Sequence, residues 1–310
     1  MKLFQRLLVA PAALGLMAPV AVNADTAFTS TTTLGGSAYF TTGSVSDGGT
    51  DDTKEELHMV YAYGLDLNSS FTGEDSLYVG VEAGNATAGD VLAEMDSAVT
   101  SGNDLTVASM FYTFPVGDLS VTAGPLVDQD DVVAATTSAY SDAFRLSAMP
   151  FSLAGDETGP GVGVSYSADN GVVASASFVS VGGNSSTTGI NADDADDVST
   201  LTLGYNGDGF GGGLIVVSND GDDTTTANTG YDTLGFGAYY SPESFPATIS
   251  VAYDTKDPES GQDSADIFVG IDYEVGPGIL SAGYNSTDVD GGDASDQTGF
   301  EVSYSYAVND

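Results

Sequence analysis

The sequence predicts an all-β chain, an antiparallel up-and-down transmembrane β-barrel of fourteen strands. Three observations predict it. Apolar residues recur at every second position in segment after segment, the connections between segments alternate short and long, and the first residues have the layout of an export signal.

Residues 1–24 come first. Lys2 and Arg6 make a cationic start, an apolar stretch follows over 7–22, and Val22, Asn23 and Ala24 supply small residues for cleavage after Ala24. A spanning helix needs about 20 apolar residues. Here the stretch is shorter and is broken by Pro11 and Pro19. The expectation is a secretory signal peptide over 1–24 and a barrel domain over 25–310.

The strands follow from the period of two. Leu57, Met59, Tyr61, Tyr63, Leu65 and Leu67 alternate with His58, Val60, Ala62, Gly64 and Asp66, so one face is oily and the other mixed. The same pattern runs through 76–83, 234–240, 247–253, 267–275 and 300–308. Less regular segments are 32–42, 104–114, 118–127, 161–168, 171–181, 198–206, 209–218 and 278–286. Most have about the 9–11 residues that cross a bilayer at a tilt. A further pair within 128–160, with 143–151 as one member, gives sixteen strands as the alternative.

Tight connections fall at 68–74, 115–117, 169–170, 207–208, 242–245 and 276–277. Long polar ones fall at 43–55, 85–103, 128–160, 182–197, 219–230, 255–264 and 287–297. In an outer-membrane barrel the tight turns are periplasmic and the long loops extracellular. An even strand number then places both termini on the periplasmic side.

Composition narrows the function. Against 45 Asp and Glu stand 5 Lys and Arg, a net charge of −40. That surface repels phosphate and excludes nucleic acid as a partner. With no Cys and a single His, the chain has no disulfides, thiol chemistry, Cys-ligated metal or multi-His site. Nothing calls for a cofactor, a metal or an enzyme: His58 has no Ser, Asn or Asp partner at a recognisable spacing. A secreted acidic β-sandwich, serving as an adhesin or surface-layer component, is the competing architecture. It would bury its apolar faces, whereas here the second face is Gly, Ser, Thr and acids with little to pack.

On the face opposite the apolar stripe, or near a rim, fall Glu56, His58, Asp66, Glu82, Asp272, Glu274 and Glu301. Most other acids crowd the long connections. An acidic lumen and mouth concentrate cations and repel anions, so the partners expected are outer-membrane lipid, small hydrophilic solutes and cations. Lys54 and Lys256 fall in predicted loops beside Glu55 and Asp257, as local ion pairs. Tyr112, Phe114, Tyr166, Tyr240, Phe245 and Tyr253 lie near predicted strand ends, where an aromatic girdle belongs.

Three stretches carry a family resemblance. The leader over 1–24 is similar to that of cyanobacterial-type outer-membrane porins, which are related to carbohydrate-selective porins. Residues 63–75 (YGLDLNSSFTGED) resemble a recurrent strand-turn segment of that family. So do 121–125 (VTAGP) together with 128–140 (DQDDVVAATTSAY), a strand and loop start. The resemblance implies a passive outer-membrane channel for sugars or ions, with a homotrimer as the usual assembly. Its members carry a surface-layer-homology domain, but here Asp25 leads almost directly into the first strand. Basic residues that follow Gly-Pro in the family are replaced by Leu126 and Asp128, and the chain closes on Asp310 rather than an aromatic residue. By analogy with general porins, the 128–160 connection folds into the lumen and sets a constriction from Asp130, Asp131, Asp142 and Arg145. A surface pair of Arg145 with Asp142 is the alternative.

Overall fold

The computed structural model describes residues 31–45, 56–87, 91, 98–141, 157–192, 195–221, 230–291 and 296–308. Its strands are β1 (Thr31–Gly43), β2 (His58–Ser70), β3 (Ser76–Gly84), β4 (Thr106–Val116), β5 (Leu119–Asp128), β6 (Thr158–Ser167) and β7 (Val172–Val181). They continue as β8 (Asp196–Asn206), β9 (Phe210–Asn219), β10 (Tyr231–Tyr240), β11 (Ala247–Pro258), β12 (Ser264–Val275), β13 (Gly278–Val289) and β14 (Gln297–Tyr306). All fourteen predicted strands are present, antiparallel and up-and-down in one sheet in chain order. The signal segment 1–24, the candidate extra strand 143–151, and Lys54, Asp142 and Arg145 lie outside the described residues. By compactness the chain divides at Pro115 into a first unit, with β1 to β3 and nearly all of β4, and a second with β5 to β14.

Burial is reversed relative to a soluble protein. On β14, Phe300, Val302 and Tyr304 are exposed while Glu301 between them is 5% exposed. On β12, Ile267 and Val269 are exposed while Asp266 is 1% exposed. Leu201 and Leu203 of β8 are exposed and their neighbours Thr200 and Thr202 buried; Leu234 of β10 is exposed and Thr233 buried. Pleating sends successive side chains to opposite faces, so these strands have an outward apolar row alternating with buried polar residues. A sandwich would show the opposite arrangement.

Two predicted connections are shorter than expected. β11 runs on to Pro258 and β13 to Val289, leaving only 259–263 and 290–296 as their links to the next strands. The apolar alternation stops earlier, but ladder hydrogen bonds need no apolar side chain, and Asp232↔Asp257 and Tyr231↔Pro258 stay in register. Lys256 is therefore a strand residue and not a loop residue. Tyr253 likewise sits mid-strand, its ring 5.5 Å from Phe236, and not at a strand end.

Several other aromatics do gather near the tight turns. In the first unit Tyr112 packs with Phe71 and Phe114; in the second Tyr205 packs with Phe210, Phe245 with Tyr273, and Tyr304 with Tyr306. These rings are amphipathic and suit a membrane–water boundary. At the β12–β13 turn, Gly276 takes φ +60 ahead of Pro277, the positive φ that a two-residue primed hairpin requires.

The β2–β3 turn is built on one carboxylate. Asp75 Oδ1 accepts hydrogen bonds from the Phe71 and Thr72 amides and from the Ser70 and Thr72 hydroxyls, each at 2.8–2.9 Å. Its Oδ2 accepts from the Tyr112 hydroxyl at 2.5 Å. Desolvation pushes this carboxyl up, but the bonds from Tyr112, Thr72 and Ser70 outweigh it and hold the group well below the usual carboxylate range. A depressed folded-state value contributes stability above the unfolded value of about 3.9, and that stability is lost as pH falls toward the folded value. Asp75→Asn is expected to lower the unfolding temperature in detergent at pH 7. The gap between variant and parent should narrow as pH is lowered through the carboxylate range.

Candidate functional site

The described first part of the β5–β6 connection, 129–141, stays against the sheet. Asp128 ends β5 and caps a 3-10 turn over Gln129–Val132, with the Asp128 amide donating to Asp131 Oδ2 at 2.9 Å. Thr158 Oγ1 donates to Asp128 Oδ2 at 3.0 Å and the Gln129 amide to the Glu157 carbonyl at 2.9 Å. The departing and returning chains are thus tied together at the root. From there 133–141 lies along the polar face of the second unit, strand after strand.

Five residues of that path, Ala134, Thr136, Ala139, Tyr140 and Ser141, hydrogen-bond to the sheet. The Ala134 amide donates to Ser175 Oγ on β7 at 3.1 Å. Asn206 at the end of β8 accepts from the Thr136 amide at 2.9 Å and donates to the Ala134 carbonyl at 3.1 Å. The Ala139 amide reaches Ser250 on β11 at 3.0 Å. At the tip, Ser141 donates from its amide and hydroxyl to the two Asp272 oxygens on β12, at 2.8 and 2.5 Å. Its hydroxyl also lies 2.5 Å from Ser281 Oγ on β13. The Tyr140 hydroxyl donates to Glu301 Oε1 on β14 at 2.6 Å. A segment without a partner strand must satisfy its amides elsewhere, and here the polar row supplies the acceptors.

Small residues on the sheet let it lie close. A Cβ on Gly204 or Gly213 would come within 2.8 and 2.7 Å of the Ala135 Cβ; one on Gly270 would come within 2.5 Å of the Tyr140 ring. Tyr140 is 1% exposed and packs 5.0 Å from the Phe268 ring. Val133 packs against a cluster of Val198, Ile215, Val217 and Tyr231. These apolar side chains on the otherwise polar row are the ones that the segment covers.

The predicted site residues divide into groups. Asp130 and Asp131 sit half-buried at the root, and Asp272 and Glu301 hold the tip, so one segment links four of them. Glu56, His58 and Glu82 belong to the first unit. Glu56 is exposed, its carbonyl 2.9 Å from Nδ1 of the half-buried His58 at the start of β2. Glu82 is half-buried on β3 opposite Gly64. Glu274, at the turn end of β12, is exposed. In the first unit Val91, Ala98 and Val99 of the β3–β4 connection pack on Val60 and Ala62. Sequence reasoning passed over Ser175, Asn206, Ser250 and Ser281, whose one signal was their place on the polar row. Among the described residues, no three His, Asp or Glu side chains converge as a metal site.

At the root Glu157 stands among like charges. Burial pushes its carboxyl up, Asp196 and Asp128 push the same way, and Lys256 opposes them.

No protein-family model matches the chain, and no curated protein matches it in sequence. Solved structures do match in fold. A porin of Rh. blastica, in a variant form, is 15% identical with a TM-score of 0.57, covering 90% of each chain. A loop-deletion variant of OmpT, an outer membrane protein of Vibrio cholerae, is 18% identical with a TM-score of 0.54, over 88% of this chain and 86% of that one. An anion-selective porin from Comamonas acidovorans is 13% identical with a TM-score of 0.53, over 89% and 83%. The fold is that of the up-and-down β-barrel porins.

Two expectations follow. Tyr140→Phe removes a hydrogen bond to a carboxylate, a loss of about 1.5–3 kcal/mol at the tip. Because the chain has no Cys, Ser138→Cys gives a single thiol at a 5% exposed position. Its maleimide labelling in folded protein should rise about tenfold or more with Tyr140→Phe, and further with Gly270→Val. Second, Glu157→Gln should stabilise the protein at neutral pH. A carboxyl with a raised folded value loses stability as pH climbs through its window, so the advantage should vanish below about pH 4.

Proposed function

We propose that the chain is an outer-membrane porin, a passive and non-enzymatic diffusion channel for small hydrophilic solutes such as ions and sugars, with a preference for cations. The observation that carries this reading is the reversed burial combined with its cover. Apolar rows face outward on strands of 9–13 residues, long enough to cross a bilayer, while a connection lies against the polar rows. A polar, partly filled interior behind an apolar exterior is what a selective aqueous path requires.

Within this reading the 133–141 segment narrows the path, and Glu56, His58, Glu82, Asp130, Asp131, Asp272 and Glu301 line it. Asp142 and Arg145 continue the segment beyond its described part. The tight turns face the periplasm and the acidic connections the outside, and residues 1–24 direct export. Outer-membrane lipid is the partner of the apolar rows, and a homotrimer is the assembly. The sequence resemblance extends the reading to a cyanobacterial-type, carbohydrate-selective porin in a Gram-negative-type cell.

Ion preference rests on charge. The Comamonas neighbour is anion-selective, but this chain carries 45 acidic against 5 basic residues. An acidic mouth attracts cations by several kT at low salt. Refolded protein in a planar bilayer under a salt gradient is expected to give steady open steps with a cation-sign reversal potential. An anion sign would overturn the preference, and absence of steps from folded protein would overturn the channel.

A further inference from the structure

Lys256 is the only Lys or Arg among the described residues. It lies in β11 on the same row as Ser250, Ala252 and Asp254, the row that the segment covers. Its Nζ sits 3.9 Å from the centre of the Tyr231 ring on β10, within the range of a cation–π contact. Glu157, whose carbonyl closes the segment's root, interacts electrostatically with this ammonium, and also with Asp128 and Asp196. The Tyr231 ring itself packs with Val198 of β8, Ile215 and Val217 of β9 and Val133 of the segment, which places the ammonium at the segment's root.

We propose that Lys256 is a specificity-determining residue, a tethered cation that occupies the acidic root of the inward segment and limits how strongly the path prefers mobile cations. This rests on the channel reading above. The reasoning is electrostatic. Permeating cations collect where carboxylates focus a negative potential. At this root a fixed ammonium already supplies positive charge, held in place by the face of Tyr231 and by the register of β11 against β10. A mobile cation gains less there than at an acidic cluster without such a charge. The Tyr231 contact adds a fixed position, which makes the ammonium a permanent feature of the path and not a sidechain sampling solvent.

The test compares Lys256→Gln, Lys256→Arg and Glu157→Gln in the full mature protein. In a potassium chloride gradient, Lys256→Gln is expected to raise the cation-to-anion permeability ratio several-fold, with little change in unitary conductance at high salt. Lys256→Arg should restore the parent ratio, because a guanidinium also stacks on an aromatic ring. Glu157→Gln should shift the ratio the opposite way. In detergent, where no channel is needed, millimolar calcium chloride should raise the unfolding temperature of Lys256→Gln more than that of the parent. An unchanged ratio and an unchanged calcium response in folded Lys256→Gln would overturn the proposal while leaving the channel reading intact. If Lys256→Gln does not fold, an unchanged ratio in Glu157→Gln overturns it instead. If the parent itself gives no steps, the channel reading fails, and an equal calcium response in parent and variant then removes the tethered cation as well.

Discussion

The structure depends on the pleat of the β-strand. Successive side chains go to opposite faces, so a strand that alternates apolar and polar residues separates two environments along its whole length. In a bilayer every backbone amide and carbonyl must also find a partner inside the protein, because lipid offers none. Antiparallel pairing between chain neighbours meets that demand along the facing edges from β1 through β14. Once the backbone is satisfied, the side-chain rows are free to differ. Phe300, Val302 and Tyr304 can face apolar surroundings while Glu301, one position away, is held by the Tyr140 hydroxyl.

The polar row does more than tolerate water. Its hydroxyls, amides and carboxylates act as a docking bed for the segment that follows β5. Ser175, Asn206 and Ser250 take up its backbone groups along the way, and Asp272, Ser281 and Glu301 hold its tip. The same row must be low where the segment crosses, which is why glycine stands under Ala135 and Tyr140. A valine at Gly270 would remove a contact surface and a hydrogen-bonding geometry together. The segment and its wall are therefore one construction.

Much of this was legible in the sequence, because period-two alternation and turn chemistry are local signals. Residues 57–67 or 267–275 can be read as strands without any knowledge of their partners. The ends of β11 and β13 were not legible in this way: Asp254, Lys256, Asp257 and Asp288 look like loop residues, and only pairing with β10 and β12 keeps them extended. For the same reason Lys256 read as a local partner of Asp257, while its ring contact is with Tyr231, 25 positions away in the chain. The polar row read as having little to pack. What packs on it arrives from residues 133–141, and Tyr140 meets Glu301 across a separation of 161 positions. No local pattern encodes that meeting, although the glycines and serines that permit it were in view.

The placement of the inward segment on the polar wall is tested most directly by a covalent link at its tip. Ser141 and Ser281 approach to 2.5 Å between hydroxyl oxygens, and the chain has no native Cys to compete. Ser141→Cys with Ser281→Cys is predicted to oxidise readily to a disulfide in the folded protein in membranes, changing its migration on a non-reducing gel and leaving channel conductance near that of the parent. Failure to cross-link in protein that is folded, or a link that forms only after unfolding, would contradict the placement.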